Sequence, residues 1–316
     1  MEDLQGRTIE YLRMSVTDRC NCRCLYCMEP QGVPMLSHSA VLRYEELADI
    51  ARAAVRCGVR KIRLTGGEPL VRRGLPQLCR MLRAIPGVEE LALTTNGLLL
   101  PRLAAELRAA GVDRLNISLD SLDPEVYRRL TRGASLDDAL AGLDAARDAG
   151  FTGTKLNTVL IGGVNDGEIA ALAALSRTRP EIAAVRFIEL MPMGPCAHWP
   201  APRFLPADAV LAALPDLRFA GQDGVAECYR APDGTTVGLI RPLSHKFCTG
   251  CSRIRVTSDG MLKPCLHSAA ELPLRGLTGP ALEQAIRQGI RQKPAEHHLG
   301  TDLPSESARD MNEIGG

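Results

Sequence analysis

The chain has no long hydrophobic run and no excess of charge of either sign. None of its apolar stretches approaches the roughly 20 residues that span a bilayer, and the formal net charge over 316 residues is +1. A near-neutral chain has no general attraction for nucleic acid or for an anionic membrane. Residues 1–5 show neither the basic start nor the apolar core of a signal peptide. We therefore expect a globular, cytoplasmic protein that binds neither nucleic acid nor membrane.

Cysteine is plentiful by contrast. There are 11 cysteines, an odd number, and without an export signal they are read as metal ligands and buried thiols rather than disulfides. Six of them form two triads. The first triad is Cys20, Cys24 and Cys27 (C-x3-C-x2-C), and the second triad is Cys248, Cys251 and Cys265 (C-x2-C-x13-C). The others, expected to be packed side chains, are Cys22, Cys57, Cys79, Cys196 and Cys228.

Each triad has one thiolate fewer than a closed iron–sulfur cluster or a structural zinc site normally takes. Two incomplete triads favour two clusters that each keep one open metal position, where a small molecule can bind and react. Zinc remains an alternative, because Cys22 or His267 would supply a fourth ligand to the first or second triad. That alternative describes a zinc-stabilised binding protein rather than an enzyme.

Strand-like and helical patterns alternate over the first two thirds of the chain. The strand-like runs are Tyr11–Val16, Lys61–Thr65, Leu91–Thr95, Arg114–Leu119, Lys155–Leu160 and Val185–Leu190. The amphipathic stretches are Tyr44–Cys57, Leu75–Ile85, Pro101–Ala110, Leu136–Ala149 and Asp166–Arg177. This alternation predicts an α/β fold with parallel strands. Six units are too few for a closed eight-stranded barrel, so we predict an incomplete (β/α)6 TIM-like barrel.

A Pro- and Gly-rich break at residues 191–200 ends this pattern. We predict two domains, 1–195 and 196–316, the second being a smaller α+β region that closes the open side of the barrel. Asp233-Gly234 and Asp259-Gly260 are typical of hairpin turns. The predicted elements of the second domain are strands Glu227–Arg230, Thr236–Arg241, Arg253–Ser258 and Met261–Cys265, and a helix Gly279–Gln292.

The segment Thr65-Gly-Gly-Glu-Pro69 follows the second predicted strand. Paired glycines let the backbone approach a ligand closely, and the carboxylate of Glu68 is suited to accept from an ammonium group. The segment lies at the C-terminal end of a parallel strand, on the same rim as the first triad, where barrel enzymes have their sites.

The first triad with Tyr26 before its last cysteine, followed by Gly-Gly-Glu-Pro, resembles the radical S-adenosylmethionine (SAM) enzymes. The resemblance implies a [4Fe-4S] cluster on Cys20, Cys24 and Cys27 whose open iron chelates SAM. Reduction then cleaves SAM to methionine and a 5′-deoxyadenosyl radical. The residues that the resemblance implies for SAM binding are Tyr26, Gly66, Gly67, Glu68, Ser118 and Met191.

Further segments narrow the resemblance to the GTP 3′,8-cyclase family, which carries out the first step of molybdopterin (molybdenum cofactor) biosynthesis. They are residues 13–20, 61–69, 93–97, 116–120, 155–157, 186–189, 247–255, 260–265 and 314–316. The resemblance implies conversion of GTP to (8S)-3′,8-cyclo-7,8-dihydro-GTP. It also implies a second [4Fe-4S] cluster on Cys248, Cys251 and Cys265, whose open iron meets guanine. The chain departs from the family at Ser252, where Asn is expected.

Six basic residues on or beside predicted strands suit a triphosphate, because Arg forks match phosphate oxygens. They are Arg13, Arg63, Lys155, Arg186, Arg253 and Arg255. Arg253 and Arg255 alternate, so their side chains lie on one face. Salt bridging on a solvated face is the alternative. The resemblance adds Thr94 and Ile254 to the GTP contacts, gives Arg253 and Arg255 catalytic roles, and inserts the terminal Gly315 and Gly316 into the active site.

The resemblance also implies partners. These are an electron donor such as a flavodoxin or ferredoxin, the downstream cyclic pyranopterin monophosphate synthase, and a second copy of the chain in a homodimer. A radical SAM peptide-modifying enzyme with an auxiliary cluster is the alternative within the superfamily, and it would not need the arginines or the Gly-Gly tail. For His297 and His298, which follow a predicted helix, a surface or helix-capping role is favoured.

Overall fold

The computed structural model describes residues 1–315, so the predicted role of Gly316 lies outside the described residues. Six parallel strands form the centre of one sheet, neighbour by neighbour in chain order. Their bounds are β1 Tyr11–Ser15, β2 Lys61–Thr65, β3 Glu90–Thr95, β4 Arg114–Ser118, β5 Thr154–Leu160 and β6 Ile182–Glu189. Each coincides with a predicted run to within three residues at either end.

Helices connect these strands. They are α1 Tyr44–Arg56, α2 Leu75–Arg83, α3 Leu100–Ala109, α4 Pro124–Thr131, α5 Leu136–Asp148 and α6 Ile169–Thr178. All five predicted helices are present, although Asp166–Glu168 forms a 3₁₀ turn before α6. The one helix of this group without a predicted counterpart is α4. Asp123 caps it by accepting from the backbone N–H groups of Glu125 at 2.8 Å and Val126 at 3.0 Å, with Pro124 in its first turn.

The remaining elements extend the same sheet at both ends. They are α7 Asp208–Ala213, β7 Arg218–Asp223, β8 Ala226–Arg230, β9 Thr236–Ile240, β10 Arg253–Val256, β11 Met261–Lys263, β12 Leu272–Pro273, α8 Gly279–Arg291 and α9 Met311–Ile314. The sheet order is β12-β11-β10-β1-β2-β3-β4-β5-β6-β9-β8-β7. Strand β10 pairs in parallel with β1, and β9 pairs in parallel with β6. The predicted α/β fold with an incomplete TIM-like barrel is confirmed, whereas the division at residue 195 stays a prediction.

The two faces of the central strands differ in chemistry. Alternate residues such as Leu12, Met14, Ile62 and Leu64 are fully buried in the hydrophobic core against the helices. The residues between them are polar or charged and face the inside of the barrel, which therefore has a polar wall. Of the scattered cysteines, Cys22, Cys57, Cys79 and Cys196 are buried, as expected, and Cys228 is partly exposed. Within residues 1–315 no helix has both the length and the hydropathy to cross a membrane.

Candidate active site

A cavity of about 430 Å³ opens on the inner face of the sheet, and both cysteine triads line it. The first triad follows β1, at the C-terminal end of the parallel strands. Cys251 lies two residues before β10, which runs parallel to β1, so the second triad lies at the N-terminal end of the parallel strands. The five residues of β1 at about 3.3 Å each separate the two ends by roughly 17 Å. The two triads therefore lie at opposite ends of the cavity.

The Gly66-Gly67 pair fixes the loop that leads into the first triad. The backbone N–H of Gly67 donates to Thr17 O at 2.7 Å, and that of Glu68 donates to Arg19 O at 2.7 Å. A Cβ atom on Gly67 would overlap with the Arg19 carbonyl, and one on Gly66 would lie 2.6 Å from Thr17 O. The sequence predicted close approach to a ligand. The structure shows that the glycines first of all allow two backbone segments to pack beside the triad.

The thiols of the first triad are close enough to influence each other. The side-chain hydrogen bond with Cys22, followed by burial, raises the pKa of Cys20. Burial raises the pKa of Cys27, and the Cys20 thiol adds to the effect. The Cys22 backbone N–H also donates to Cys20 Sγ at 3.3 Å. Burial and neighbouring thiols thus disfavour the thiolates, so a bound metal must displace the thiol protons itself.

Two buried carboxyl groups lie at the same end of the cavity. Burial raises the pKa of Glu68 to about 7, although its oxygens accept from Asn96 N at 2.7 Å and Thr95 Oγ1 at 2.7 Å. Burial raises the pKa of Asp120 to about 6, and Asp120 accepts from the Tyr26 hydroxyl at 2.7 Å. The other residues predicted to bind SAM also line the cavity: Gly66, Gly67, Ser118 and Met191.

The second triad has cationic neighbours. Burial alone would raise the pKa of Cys251, but the charges of Arg253 and Lys293 lower it to about 7. Lys293 Nζ is held by Arg253 O and Pro264 O, each at 2.9 Å. A thiolate is the form of cysteine that binds metal, so Cys251 is electrostatically prepared for one, whereas burial raises the pKa of Cys248.

The thiols of each triad are spread too widely for a single ion. Among residues 1–315 no three His, Cys, Asp or Glu side chains are grouped closely enough to hold one metal ion. A four-iron cluster is larger than an ion and holds its thiolates further apart, so the first triad suits a [4Fe-4S] cluster with an open iron, although the Cys22 side chain also contacts the Cys20 thiol there. The zinc alternative, which needs a single ion, is not favoured.

The strands between the triads carry a row of arginines. Arg255 of β10, Arg13 of β1 and Arg63 of β2 are neighbours in strand register. Burial, followed by the charge of Arg253, lowers the pKa of Arg255 to about 10. Arg63 Nη1 reaches Thr94 Oγ1 at 3.5 Å. All five residues line the cavity, so its wall concentrates positive charge that an anion would neutralise.

Two of the predicted cations already have an acidic partner. Asp223, at the end of β7, pairs with Lys155 Nζ and accepts from Arg186 Nη2 at 2.7 Å. Burial opposes ionisation of Asp223, but Lys155 and Arg186 lower its pKa to about 2. Arg186 lines the cavity, whereas Lys155 reaches it only through Asp223. The side chain of Ile254 is 1% exposed and belongs to the hydrophobic core, which leaves only its backbone to meet a ligand.

The C-terminal tail reaches the arginine row. The carbonyl of Gly315 accepts from Arg255 Nη1 at 2.6 Å. Gly315 has φ +84°, and a Cβ atom there would overlap with Thr65 Oγ1. The tail is anchored further back by Arg309, whose guanidinium binds Asp259 at 2.9 Å and Glu271 at 2.7 Å. A side chain at position 315 would therefore displace the tail from Arg255.

Several polar residues of the cavity were not predicted as site residues. Arg114 lines the cavity and pairs with Glu90. Alternation could have predicted this, because Arg114 and Asn116 are alternate residues of a predicted strand and so face the same side. Four buried polar atoms of cavity-lining residues have no hydrogen-bond partner among residues 1–315: Arg63 Nε, Arg114 Nη1, Asn116 Oδ1 and Asn157 Oδ1. Such atoms indicate a polar ligand. The surface role favoured for His297 is wrong, because only 7% of this residue is exposed.

Family models match nearly the whole chain. The Radical SAM superfamily model matches residues 14–175, and the Molybdenum Cofactor Synthesis C model matches residues 183–299. A GTP 3′,8-cyclase of Pelotomaculum thermopropionicum is 47% identical, with 100% of both chains covered. One of Peptoclostridium acidaminophilum is 47% identical over 99% of this chain and 98% of its own. One of Geobacter sulfurreducens is 44% identical over 99% of each.

Solved structures share the fold at low identity. SuiB of Streptococcus suis has a TM-score of 0.63 and 14% identity, over 96% of this chain and 76% of that one. The protein anSMEcpe with bound AdoMet has a TM-score of 0.58 and 12% identity, over 91% and 78%. Membership of the radical SAM superfamily implies a [4Fe-4S] cluster and SAM binding. The full-length relatives together with both family models show that the chain belongs to the GTP 3′,8-cyclase family of radical SAM enzymes.

Proposed function

We propose that the protein is a lyase that converts GTP to (8S)-3′,8-cyclo-7,8-dihydro-GTP, the first step of molybdopterin biosynthesis. One observation carries the proposal: a single cavity has a thiol triad at each end and a cationic wall between them. Relatives that match over their full length bear the corresponding name. A peptide-modifying activity finds no support here, because a peptide would not need this concentration of arginine.

The proposal includes two [4Fe-4S] clusters. Cys20, Cys24 and Cys27 would hold the first, and Cys248, Cys251 and Cys265 would hold the second. When bound and reduced, the first cluster and SAM would supply a 5′-deoxyadenosyl radical that removes hydrogen from ribose C3′, so that C3′ can bond to guanine C8. The base radical that results would take up one electron, from the external donor through the second cluster, and one proton at N7 to give the 7,8-dihydro product. The residues proposed to hold SAM are Tyr26, Gly66, Gly67, Glu68, Ser118 and Met191.

The arginine row is proposed to bind the triphosphate. Arg13, Arg63 and Arg255 are adjacent in register, and crowding with Arg253 lowers the pKa of Arg255. A polyanion would relieve this repulsion and gives each guanidinium oxygens to bind in pairs. Thr94, Lys155, Arg186, Arg253 and the backbone of Ile254 complete the proposed contacts. For Lys155 and Arg186 this requires the substrate phosphates to compete with Asp223.

The tail is proposed to complete the site. Gly315 accepts from Arg255, so the tail can fix the orientation of a guanidinium that also faces the substrate. A backbone without side chains fits the narrow space beside Thr65 and Ser15. Gly315 and Gly316 would thereby hold Arg255 in place and keep water away from the reacting ribose.

The reaction needs a source of electrons, and its product needs a further enzyme to use it. An electron donor such as a flavodoxin or ferredoxin would reduce the first cluster, and a cyclic pyranopterin monophosphate synthase would take the product. We place the enzyme in the cytoplasm, where thiols stay reduced, and propose a homodimer.

The deciding experiment is anaerobic incubation of the reconstituted protein with SAM, a reductant and each of the four nucleoside triphosphates in turn. We expect 5′-deoxyadenosine and a cyclised nucleotide, both measured by mass spectrometry, in the presence of GTP alone. The protein with its first triad changed to alanine is the control for adventitious iron. Cyclised product from another nucleotide, or SAM cleavage with no nucleotide product under any condition, would contradict the proposal.

A further inference from the structure

The surface beside the first-triad loop, residues 20–27, is basic. Helix α4 ends against this loop, and a surface hollow at that end is lined by Glu125, Val126, Arg128, Arg129, Arg132 and Gly133. Three of these residues are arginines and one is acidic. The Arg128 side chain is 61% exposed and pairs with Glu125 at 2.7 Å, and Arg129 is also exposed. The hollow therefore presents an excess of positive charge to solvent.

Hydrogen bonds join the hollow to the first triad. The backbone N–H of Arg23 donates to Thr131 O at 3.0 Å. Arg132 Nη1 donates to Met28 O at 2.6 Å, and Met28 directly follows Cys27 in the chain. The thiols of the triad line the main cavity, whereas none of the arginines of the hollow does. The basic surface thus lies close to the triad but outside the cavity.

Two of the arginines hold the loop, and two do not. Arg23 Nη1 donates to Cys20 O at 2.6 Å, and the carbonyl of Arg23 accepts from Arg132 Nη1 at 3.2 Å. The side chains of Arg128 and Arg129 make no hydrogen bond to the loop within residues 1–315. These two can meet another molecule without disturbing the triad.

Arg132 adopts an unfavourable backbone conformation at this junction. Its φ is +54° and its ψ is +51°, and among residues 1–315 no other residue except glycine has a positive φ. Such strain persists only where surrounding contacts hold it, and here they are the contacts with Met28 and Arg23. A helix end needs only a nearby cation to offset its dipole. The link to the triad loop goes beyond that need and fixes the arginines beside the loop.

Positive charge in this position suits a protein that delivers electrons. The proposed function requires one electron to reach the first cluster from outside the molecule. The cavity side of that cluster is where SAM is proposed to bind, which leaves the outer side of the loop for the donor. Flavodoxins and ferredoxins are acidic proteins, and a basic surface attracts and orients an acidic partner. The transfer forms no bond and moves no proton: the carrier loses one electron and the cluster gains it.

We propose that the end of helix α4 is the docking surface for an acidic one-electron carrier protein. Arg128 and Arg129 would meet the carboxylates of the carrier, and Arg23 and Arg132 hold this surface against the triad loop. The inference rests on the proposed function, which needs an external electron donor. It concerns only where the carrier binds, and substrate binding in the cavity does not depend on it.

The test compares the reconstituted parent with the double variant Arg128→Glu/Arg129→Glu. The matched control is Arg52→Glu/Arg147→Glu, because both of these exposed arginines pair, like Arg128, with a carboxylate three residues away on their own helix. Each protein receives SAM and GTP without oxygen, with electrons from reduced flavodoxin, reduced ferredoxin or dithionite. The measurements are 5′-deoxyadenosine at low salt and at about 0.5 M salt, and calorimetric binding of each oxidised carrier.

Charge reversal should slow SAM cleavage with the carriers roughly tenfold or more at low salt, because electrostatic attraction speeds encounter by at least that factor. Calorimetry should show a comparable loss of carrier affinity. High salt should bring the parent towards the double variant. Dithionite needs no docking surface, so with it the double variant should stay within about twofold of the parent. The control should match the parent throughout.

Iron content and thermal unfolding are measured for every protein, and Arg128→Gln/Arg129→Gln, with a smaller expected effect, replaces the reversal if the latter does not fold. Electron uptake from both carriers at the parental rate would overturn the inference, as would a parent that neither carrier binds or reduces. An equal loss with dithionite would also overturn it, since the arginines would then support the triad. A parent that cleaves SAM with dithionite but forms no cyclised nucleotide would instead contradict the proposed function, which separates the two failures.

Discussion

The two ends of the cavity hold similar thiol triads in different electrostatic surroundings. Near the first triad lie the buried carboxyls of Glu68 and Asp120, and the thiols have raised pKa values. Beside the second triad, Arg253 and Lys293 lower the pKa of Cys251. SAM carries a sulfonium cation, whereas GTP is a polyanion. This difference means that local charge can direct a cationic cofactor to one end of the cavity and an anionic substrate to the other.

Removing each triad separately should have the largest effect. Changing Cys20, Cys24 and Cys27 to Ala should abolish SAM cleavage, because these three thiols are proposed to hold the cluster that binds SAM. The same change at the second triad should lower iron content and end cyclisation while leaving some uncoupled cleavage. The measurement is 5′-deoxyadenosine and iron per protein under anaerobic conditions. Equal loss of cleavage in both triple variants would break the distinction between the two ends.

Removing one arginine of the row should have the next largest effect. Arg63→Ala or Arg255→Ala should weaken GTP binding by about 2–5 kcal/mol, or roughly 30-fold and more, because a buried charged contact is lost. Iron content should not change. The matched control is Arg43→Ala, because the Arg43 side chain is 76% exposed and forms an ion pair with Glu46 on the surface. GTP affinity within twofold of the parent, measured by calorimetry, would mean that the triphosphate binds elsewhere.

A methyl group at position 315 should separate binding from reaction. Gly315→Ala would force a Cβ atom into Thr65 Oγ1 at a positive φ, at a cost of about 1–3 kcal/mol. Cyclised product should fall roughly tenfold or more, as should product in a chain that lacks Gly315 and Gly316 or carries Gly316→Leu. SAM binding and iron content should persist. Gly300→Ala, where a Cβ atom has ordinary contacts, is the control. Full-rate cyclisation in Gly315→Ala would show that the tail is dispensable.

Asp223→Asn should have the smallest effect on GTP affinity, and it should raise this affinity rather than lower it. Without this carboxylate, Lys155 and Arg186 are free for phosphate, so GTP should bind a few-fold tighter. The folded-state pKa of Asp223 lies near 2, below its ordinary value of 3.8. Its stabilising contribution is thus complete above about pH 4 and is lost as the pH falls towards 2.

Denaturant unfolding of the parent and Asp223→Asn across this pH range measures that contribution. The parent should be the more stable protein above about pH 4, and the difference should vanish near pH 2. Asp233→Asn is the control, since Asp233 lies on the next hairpin turn and pairs with exposed Arg177. Weaker GTP binding by Asp223→Asn would mean that Asp223 orients the cations rather than competing with substrate.

The central barrel was predictable because its signals are local. Strands such as β2 are short apolar runs followed by turn residues, and both of its predicted ends are exact. Strand β7 was missed because its first three residues are exposed and its sequence does not alternate between apolar and polar residues. Helix α4 was missed despite Asp123 and Pro124 at its start, because it spans only eight residues.

The candidate site was predictable where chemistry is tied to spacing, as in the triads, and where alternation places arginines on one strand face. It was not predictable where distant segments meet. Asp223 reaches Lys155 and Arg186 only because β7 and β8 fold back along the far end of the sheet. His297 follows a segment that Arg7 holds in place by donating to the carbonyls of Pro294 and Ala295. These two residues lie 287 and 288 positions further along the chain than Arg7. No local pattern reports such contacts.

The parallel pairing of β1 with β10 also bears on aggregation. Arg7 binds the Cys248 carbonyl 241 residues away, and β10 covers a strand edge that the N-terminal part of the chain would otherwise expose. Strand β6 is covered by β9 in the same way. A fragment of residues 1–195 would carry two unpaired strand edges, β1 and β6, and such edges are templates for intermolecular strand pairing. We expect this fragment to associate or precipitate, whereas the full chain protects both edges with its own C-terminal strands.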